Sequence, residues 1–250
     1  MSNAVTFTSL RGDFAARLFY DGDGFVRRHD SVLWPHLAGV LERLTVDAIR
    51  RVLAAGSVIL PEGLTVVPSS AEHKIYALSQ FIGACESILG AAHLIRGGYP
   101  DEAATLARRA YETAAGGLYV VDKPSSYDSI RRTQRAPSIG KVVEHVAARS
   151  RQHGDPQGLR AAYQAFSNQA HSGPGVRLVS NFLELDRVRL GPRLATEDFA
   201  PFERGLAALS LATDALGFIA ALAFAGELQT LDSSGPTSSG TPPPAGAGET

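Results

Sequence analysis

The sequence predicts an all-α fold, an up-and-down helical bundle, and three observations carry that prediction. Apolar residues recur at three-and-four spacing over most of the chain between about residues 70 and 230. Glycine, proline and capping residues fall mainly between those runs. Strand character is confined to Val176–Leu190 (VRLVSNFLELDRVRL), where a small hairpin at about 176–190 is expected. With 250 residues, 44% of them hydrophobic, the chain can build a substantial core. Three parts are expected: an N-terminal helical extension over 1–68, a bundle domain over 69–230, and a Ser/Gly/Pro-rich tail over 231–250. The tail, with no large apolar residue after Leu231, cannot offset its ordering entropy and is expected to be disordered.

The opening segment spaces Phe7, Leu10, Phe14, Leu18 and Phe19 as a helix does, and Asp21-Gly22-Asp23-Gly24 reads as its end. Ser31 to Leu44 carries Leu33, Leu37, Val40, Leu41 and Leu44 on one face. Thr45 reads as the N-cap of a further helix to about Ala55. Gly56 to Pro68, broken by Pro61 and Gly63, reads as loop. Ser69 or Ser70 then caps a long helix whose stripe includes Ile75, Leu78, Phe81, Ile82, Cys85, Ile88, Leu89 and Ala92, ended by Gly97-Gly98. Pro100, with Asp101 and Glu102, suits the first turn of the next helix, which runs to about Val121 on a stripe of Ala103, Leu106, Ala107, Ala110, Ala114 and Leu118. Small residues there let a neighbour approach closely. Tyr127 to Arg151 is helical with an interruption at Pro137, where Ser138 caps the second piece. Gly154-Asp155-Pro156 opens a helix stopped by Gly173-Pro174-Gly175, and Thr196-Glu197-Asp198 opens the last, through about Leu228.

Charge narrows the function classes. Lys plus Arg (24) nearly cancels Asp plus Glu (25), which excludes a global polycationic surface for nucleic acid or anionic lipid. A single cysteine, Cys85, excludes an internal disulfide framework and a cysteine zinc cage. Ala208–Leu228 is very apolar, but Asp214 and Glu227 within it favour a buried helix over a membrane span. Together with the absence of a basic, apolar leader at the start, these features lead to the expectation of a cytoplasmic protein without a membrane partner.

The candidate chemistry falls in two places. Tyr163, Ser167 and His171 are spaced by four and stack as a polar row at a helix end, with Asn168 beside them. A serine one turn before a histidine invites a nucleophile–base reading, yet no carboxylate, oxyanion hole or strand–turn–helix elbow is signalled. The competing reading is a C-terminal histidine favoured by the helix dipole. On the Pro100 helix stand Arg108, Arg109 and Glu112, with Arg108 and Glu112 at i, i+4. An inward-pointing arginine must be paired, so a structural ion pair is favoured over a ligand site. No metal is expected, because no histidines share an i, i+4 spacing and no Glu-x-x-His is present. No phosphate-loop or dinucleotide fingerprint is present, and no cofactor is expected. Arg131, Arg132 and Arg135, with Lys141, Arg149 and Arg151 downstream, form the one local basic patch that could meet phosphate or RNA.

A helix ending RGGY runs into PDEAATLARRAYETAAGGLY, and a later helix ends YQAFSNQAHSG. This combination resembles a bacterial family of helical proteins of the DUF5677 type, related to the HEPN superfamily, over about residues 75–225. The resemblance implies an up-and-down bundle with the two motif helices packed together, a homodimer, and a role in stress or phage defence. HEPN ribonucleases carry an arginine, then a polar residue, and a histidine with four to six residues between the arginine and the histidine. His171 matches the histidine and Ser167, with Asn168 beside it, the polar position; Phe166 stands where the arginine belongs. Phenylalanine cannot stabilise charge on a transferring phosphoryl group.

Two principal functions follow as expectations. The first is a non-catalytic module that dimerises and binds. The second is a metal-independent ribonuclease in which His171 acts with Ser167 or Asn168 while Arg108 substitutes for the missing arginine. Arg108, Glu112, Ser167 and His171 lining an open basic cleft would favour the nuclease. The same residues buried and mutually paired would favour the module. A helical small-molecule binder is a third class, and it needs a closed apolar pocket.

Overall fold

The chain is an all-α helical bundle. A computed structural model describes residues 22–61, 67–155, 158–170, 182–184, 187–188, 195 and 199–233. The expected first helix at 7–19 and the tail from 234 onward lie outside the described residues, as does His171.

The first described helix, α1 (Gly22–Arg43), begins inside the Asp-Gly-Asp-Gly run read above as a breaker. It passes without interruption through a π turn (Leu44–Ile49) into α2 (Arg50–Ile59), since Arg43, Ile49 and Arg50 all hold right-handed helical dihedrals. Thr45 is therefore not an N-cap. Its hydroxyl donates to the Leu41 carbonyl, 2.9 Å away, which satisfies the side chain within a continuing helix. The helix also overruns the loop expected from Gly56, because Gly56–Ile59 can still complete a turn. It stops at Leu60, the residue before Pro61, where the helical region is sterically disfavoured.

After a short 3₁₀ turn (Ser69–Ala71), α3 (Glu72–Arg96) and α4 (Pro100–Asp122) form an antiparallel hairpin. Its connection is a Schellman turn: Gly98 adopts φ 88°, Tyr99 N–H donates to Leu94 C=O, and Gly98 N–H donates to Ile95 C=O. The alanine stripe works as anticipated. Ala103, Ala107, Ala110 and Ala114 are fully or almost fully buried, and α4 packs on α3 more extensively than any other pair. Closest approach is at Gly117, where an added Cβ would sit 2.9 Å from the Phe81 ring.

The remaining helices close around α4. They are α5 (Pro124–Thr133), α6 (Ile139–Arg151), α7 (Gly158–Ala170), α8 (Ala200–Ala223) and α9 (Ala225–Ser233). Asp155 caps α7 by accepting from the backbone N–H groups of Gly158 (2.7 Å) and Leu159 (3.2 Å). The final helix is divided at Phe224 and continues past Leu228 to Ser233, so the first residues assigned to the tail are helical. Within 176–190, Phe182–Glu184 and Arg187–Val188 pair antiparallel.

The helices before residue 68 pack onto the bundle. Leu33, Leu37, Val40, Leu44, Ala48 and Val52 belong to the same apolar cluster as the α3, α4 and α8 residues. A latch reinforces this junction: Arg43 Nε donates to Asp214 Oδ1 at 3.0 Å and Nη2 to Ser210 Oγ at 2.6 Å. Asp214, the charge inside the apolar Ala208–Leu228 run, thus faces outward, and most of the apolar residues of α8 face in. By length and composition alone, Ser69–Arg96 and Ala200–Ala223 are each long and apolar enough to cross a membrane; 67% of the α8 window is buried within the fold.

Cys85 lies in this core, and burial pushes its thiol up to about 11. At neutral pH its thiolate fraction is roughly 100-fold below that of an unperturbed thiol. Native protein is expected to resist a thiol reagent such as iodoacetamide and to label rapidly in denaturing urea. Fast native labelling, followed by mass spectrometry, would contradict the placement.

Candidate functional site

Three groupings of side chains could carry function, and the first is the one the sequence pointed to. Helices α4 and α7 meet through Tyr111, whose hydroxyl donates to the Leu159 carbonyl at 2.9 Å while its ring contacts Tyr163 and Phe166. Tyr111 is fully buried, and that burial raises its phenol above the ordinary tyrosine range. Beside it, Arg108 Nε donates to Glu112 Oε1 at 2.7 Å, with both side chains mostly shielded from water. This hydrogen bond is the main reason the guanidinium is held above its ordinary pKa. Arg108 also lies over the Tyr163 ring, 5.7 Å from its centroid, with Nη2 3.5 Å from the Tyr163 hydroxyl.

The structure therefore brings Arg108, Glu112 and Tyr163 together. It does not bring Arg109 to them, since Arg109 is exposed on another face of α4. Ser167 is half-buried and forms no side-chain hydrogen bond among the described residues, while exposed Asn168 accepts from Gln164 Nε2 at 3.5 Å. Phe166, at the position of the motif arginine, is 0% exposed. That position points into the core, so the missing charge is a consequence of packing as well as of residue type.

The second grouping was not found from sequence. At the C-terminal end of α4, Asp122 Oδ2 lies 2.8 Å from His145 Nε2 and 3.5 Å from Arg149 Nε on α6. His145 also meets the Tyr119 ring edge-on. Across a cleft of about 480 Å³, Lys74 pairs with Glu227. Glu144 and His145, adjacent on a helix, point to different faces, and nothing in the sequence ties Asp122 to His145. Only the hairpin of α4 with α6 does. A carboxylate orienting an imidazole is half of a nucleophile-activating arrangement. The other half is missing among the described lining residues: the cleft's one hydroxyl, Thr230, donates to Gly226 C=O. No cluster of His, Cys, Asp and Glu suited to a metal occurs among the described residues.

The third grouping is a set of exposed aliphatic side chains on the adjoining helices α2 and α3. Gly56 approaches Leu78 closely enough that a Cβ would lie 3.5 Å from the leucine side chain. Leu53 on α2 and Leu60 just past its end stand three residues before and four after Gly56, and so flank it. On α3, Ile82 follows Leu78 by four and Leu89 follows Ile82 by seven. All four aliphatic side chains are exposed, Leu53 at 67%, and give this face of α2 and α3 an apolar character. Arg50 on α2 and Glu86 on α3, both exposed, add opposite charges.

Comparison with known proteins finds no match for the chain among family models, curated proteins or solved structures.

Proposed function

We propose that the chain is a non-catalytic, HEPN-like helical binding module that works as a homodimer, two copies meeting along the α2–α3 face. The observation that carries this reading is the exposure of four large aliphatic side chains, Leu53, Leu60, Ile82 and Leu89, on adjoining helices, since clustered exposed apolar residues mark interaction sites. The opposite charges of Arg50 and Glu86 favour a second copy as the occupant. A two-fold axis across this face sets α2 of one copy against α3 of the other, so that Arg50 meets the partner's Glu86 twice over. The state of the α4–α7 residues supports the non-catalytic half. Arg108, the one candidate substitute for the motif arginine, is engaged by Glu112 and Tyr163, and Phe166 occupies the core.

Sedimentation velocity tests the dimer. Wild type is expected at twice the single-chain mass of 26.4 kDa at micromolar concentrations, and Leu53→Glu at the single-chain mass with an unchanged helical circular dichroism spectrum. Arg50→Glu and Glu86→Arg should each weaken association about tenfold or more by setting like charges face to face, and combining them should restore it. A wild type that stays at single-chain mass, or a double variant no better than either single one, overturns the reading.

A further inference from the structure

We propose that a second site, between α5 and α6, binds a compact phosphate monoester. A pocket of about 320 Å³ opens there, within the size range of small-ligand sites. Its wall carries two cations, Arg135 and Lys141, and four hydroxyl side chains, Ser126, Ser129, Thr133 and Ser138. No carboxylate lines it.

The partners of the neighbouring basic residues make this pocket distinctive. Arg131 is tied to Glu72, and Arg132 Nε donates to the Asp128 carbonyl. Arg149 is ion-paired to Asp122. Arg135 and Lys141, by contrast, have no carboxylate partner among the described residues, and they are the two that face the pocket. Two hydroxyls are equally uncommitted. Ser138 sits at the N-cap of α6 without making the capping bond, and Ser129 donates to no described residue, whereas Ser126 and Thr133 are bonded to nearby carbonyls. Unpaired cations with free hydroxyl donors and no competing acid are the complement of a dianion with several acceptor oxygens. Ile130, Ala136 and Pro137 supply an apolar side, which suits an ester carrying a small organic group over phosphate alone.

Calorimetric titration of the full chain with inorganic phosphate and with phenyl phosphate tests this. Both are expected to bind saturably at one site, phenyl phosphate several-fold tighter. Lys141→Gln and Arg135→Gln should each weaken phenyl phosphate about tenfold, whereas Arg160→Gln, on the exposed side of α7, should leave it unchanged. Binding should also strengthen as pH rises through about 6, where a phosphate monoester takes its second charge. Absence of saturable binding by both probes overturns the assignment. So does binding indifferent to Lys141 and Arg135, or capture of a single-stranded RNA oligomer by a protein that ignores both small anions.

Discussion

Phe166→Arg is expected to destabilise the protein and to create no nuclease, although it puts an arginine five residues before His171. The side chain at 166 is fully enclosed, with Tyr111 5.7 Å away ring to ring. Removing a buried phenylalanine alone costs roughly 3–5 kcal/mol, and a guanidinium placed there adds an unpaired buried charge. Against a total stability of order 5–15 kcal/mol, much of the population should be unfolded near physiological temperature. Urea unfolding followed by circular dichroism reads this directly. Phe166→Leu, which keeps most of the apolar volume, should lose far less. If Phe166→Arg keeps the wild-type midpoint and acquires RNA cleavage, position 166 faces a site after all, and the placement of α7 against α4 is wrong.

The second large effect concerns two adjacent glycines with opposite expected signs. In a helix, Gly→Ala gains about 1 kcal/mol when nothing else changes. At Gly116 nothing lies within 4 Å of the added carbon, so Gly116→Ala should stabilise by about that amount. At Gly117 the same carbon falls 2.9 Å from Phe81 Cε2 and 3.3 Å from the Ala77 carbonyl oxygen. Phe81 is itself fully buried against Phe224 and cannot swing clear. Overpacking of this kind costs about 1–3 kcal/mol, enough to reverse the gain. Gly117→Ala should therefore lower the urea midpoint while Gly116→Ala raises it. Equal shifts in the two variants would show that α3 and α4 are farther apart than described.

Much of this architecture was legible because its determinants are local. Gly97-Gly98 and Pro100 mark the α3–α4 turn by backbone preference alone, Asp155 announces the start of α7, and the alanine stripe of α4 identifies the buried face. The misread places are those where tertiary packing overrides a local preference. Gly22 and Gly24 are helical in α1, and Thr45 satisfies its own hydroxyl and lets the helix run on. The π turn at Leu44–Ile49 has no sequence signature, but it coincides with the approach of α8, where a Cβ on Gly217 would lie 3.0 Å from Asp47 Cβ. Among the candidate residues, the i, i+4 spacing of Arg108 and Glu112 was sufficient to anticipate their pairing. The Asp122–His145 pair and the exposed α2–α3 face depend on which helices become neighbours. Ile82 and Leu89 read as part of the core stripe until the packing leaves them outside.

The most direct test of the non-catalytic reading is RNA cleavage by purified wild-type protein in EDTA, beside His171→Ala and Arg108→Gln. The expectation is no cleavage above buffer by any of the three, with Arg108→Gln less stable because Glu112 and Tyr163 lose their partner. Metal-independent cleavage by wild type that disappears in His171→Ala would contradict the account and restore the nuclease.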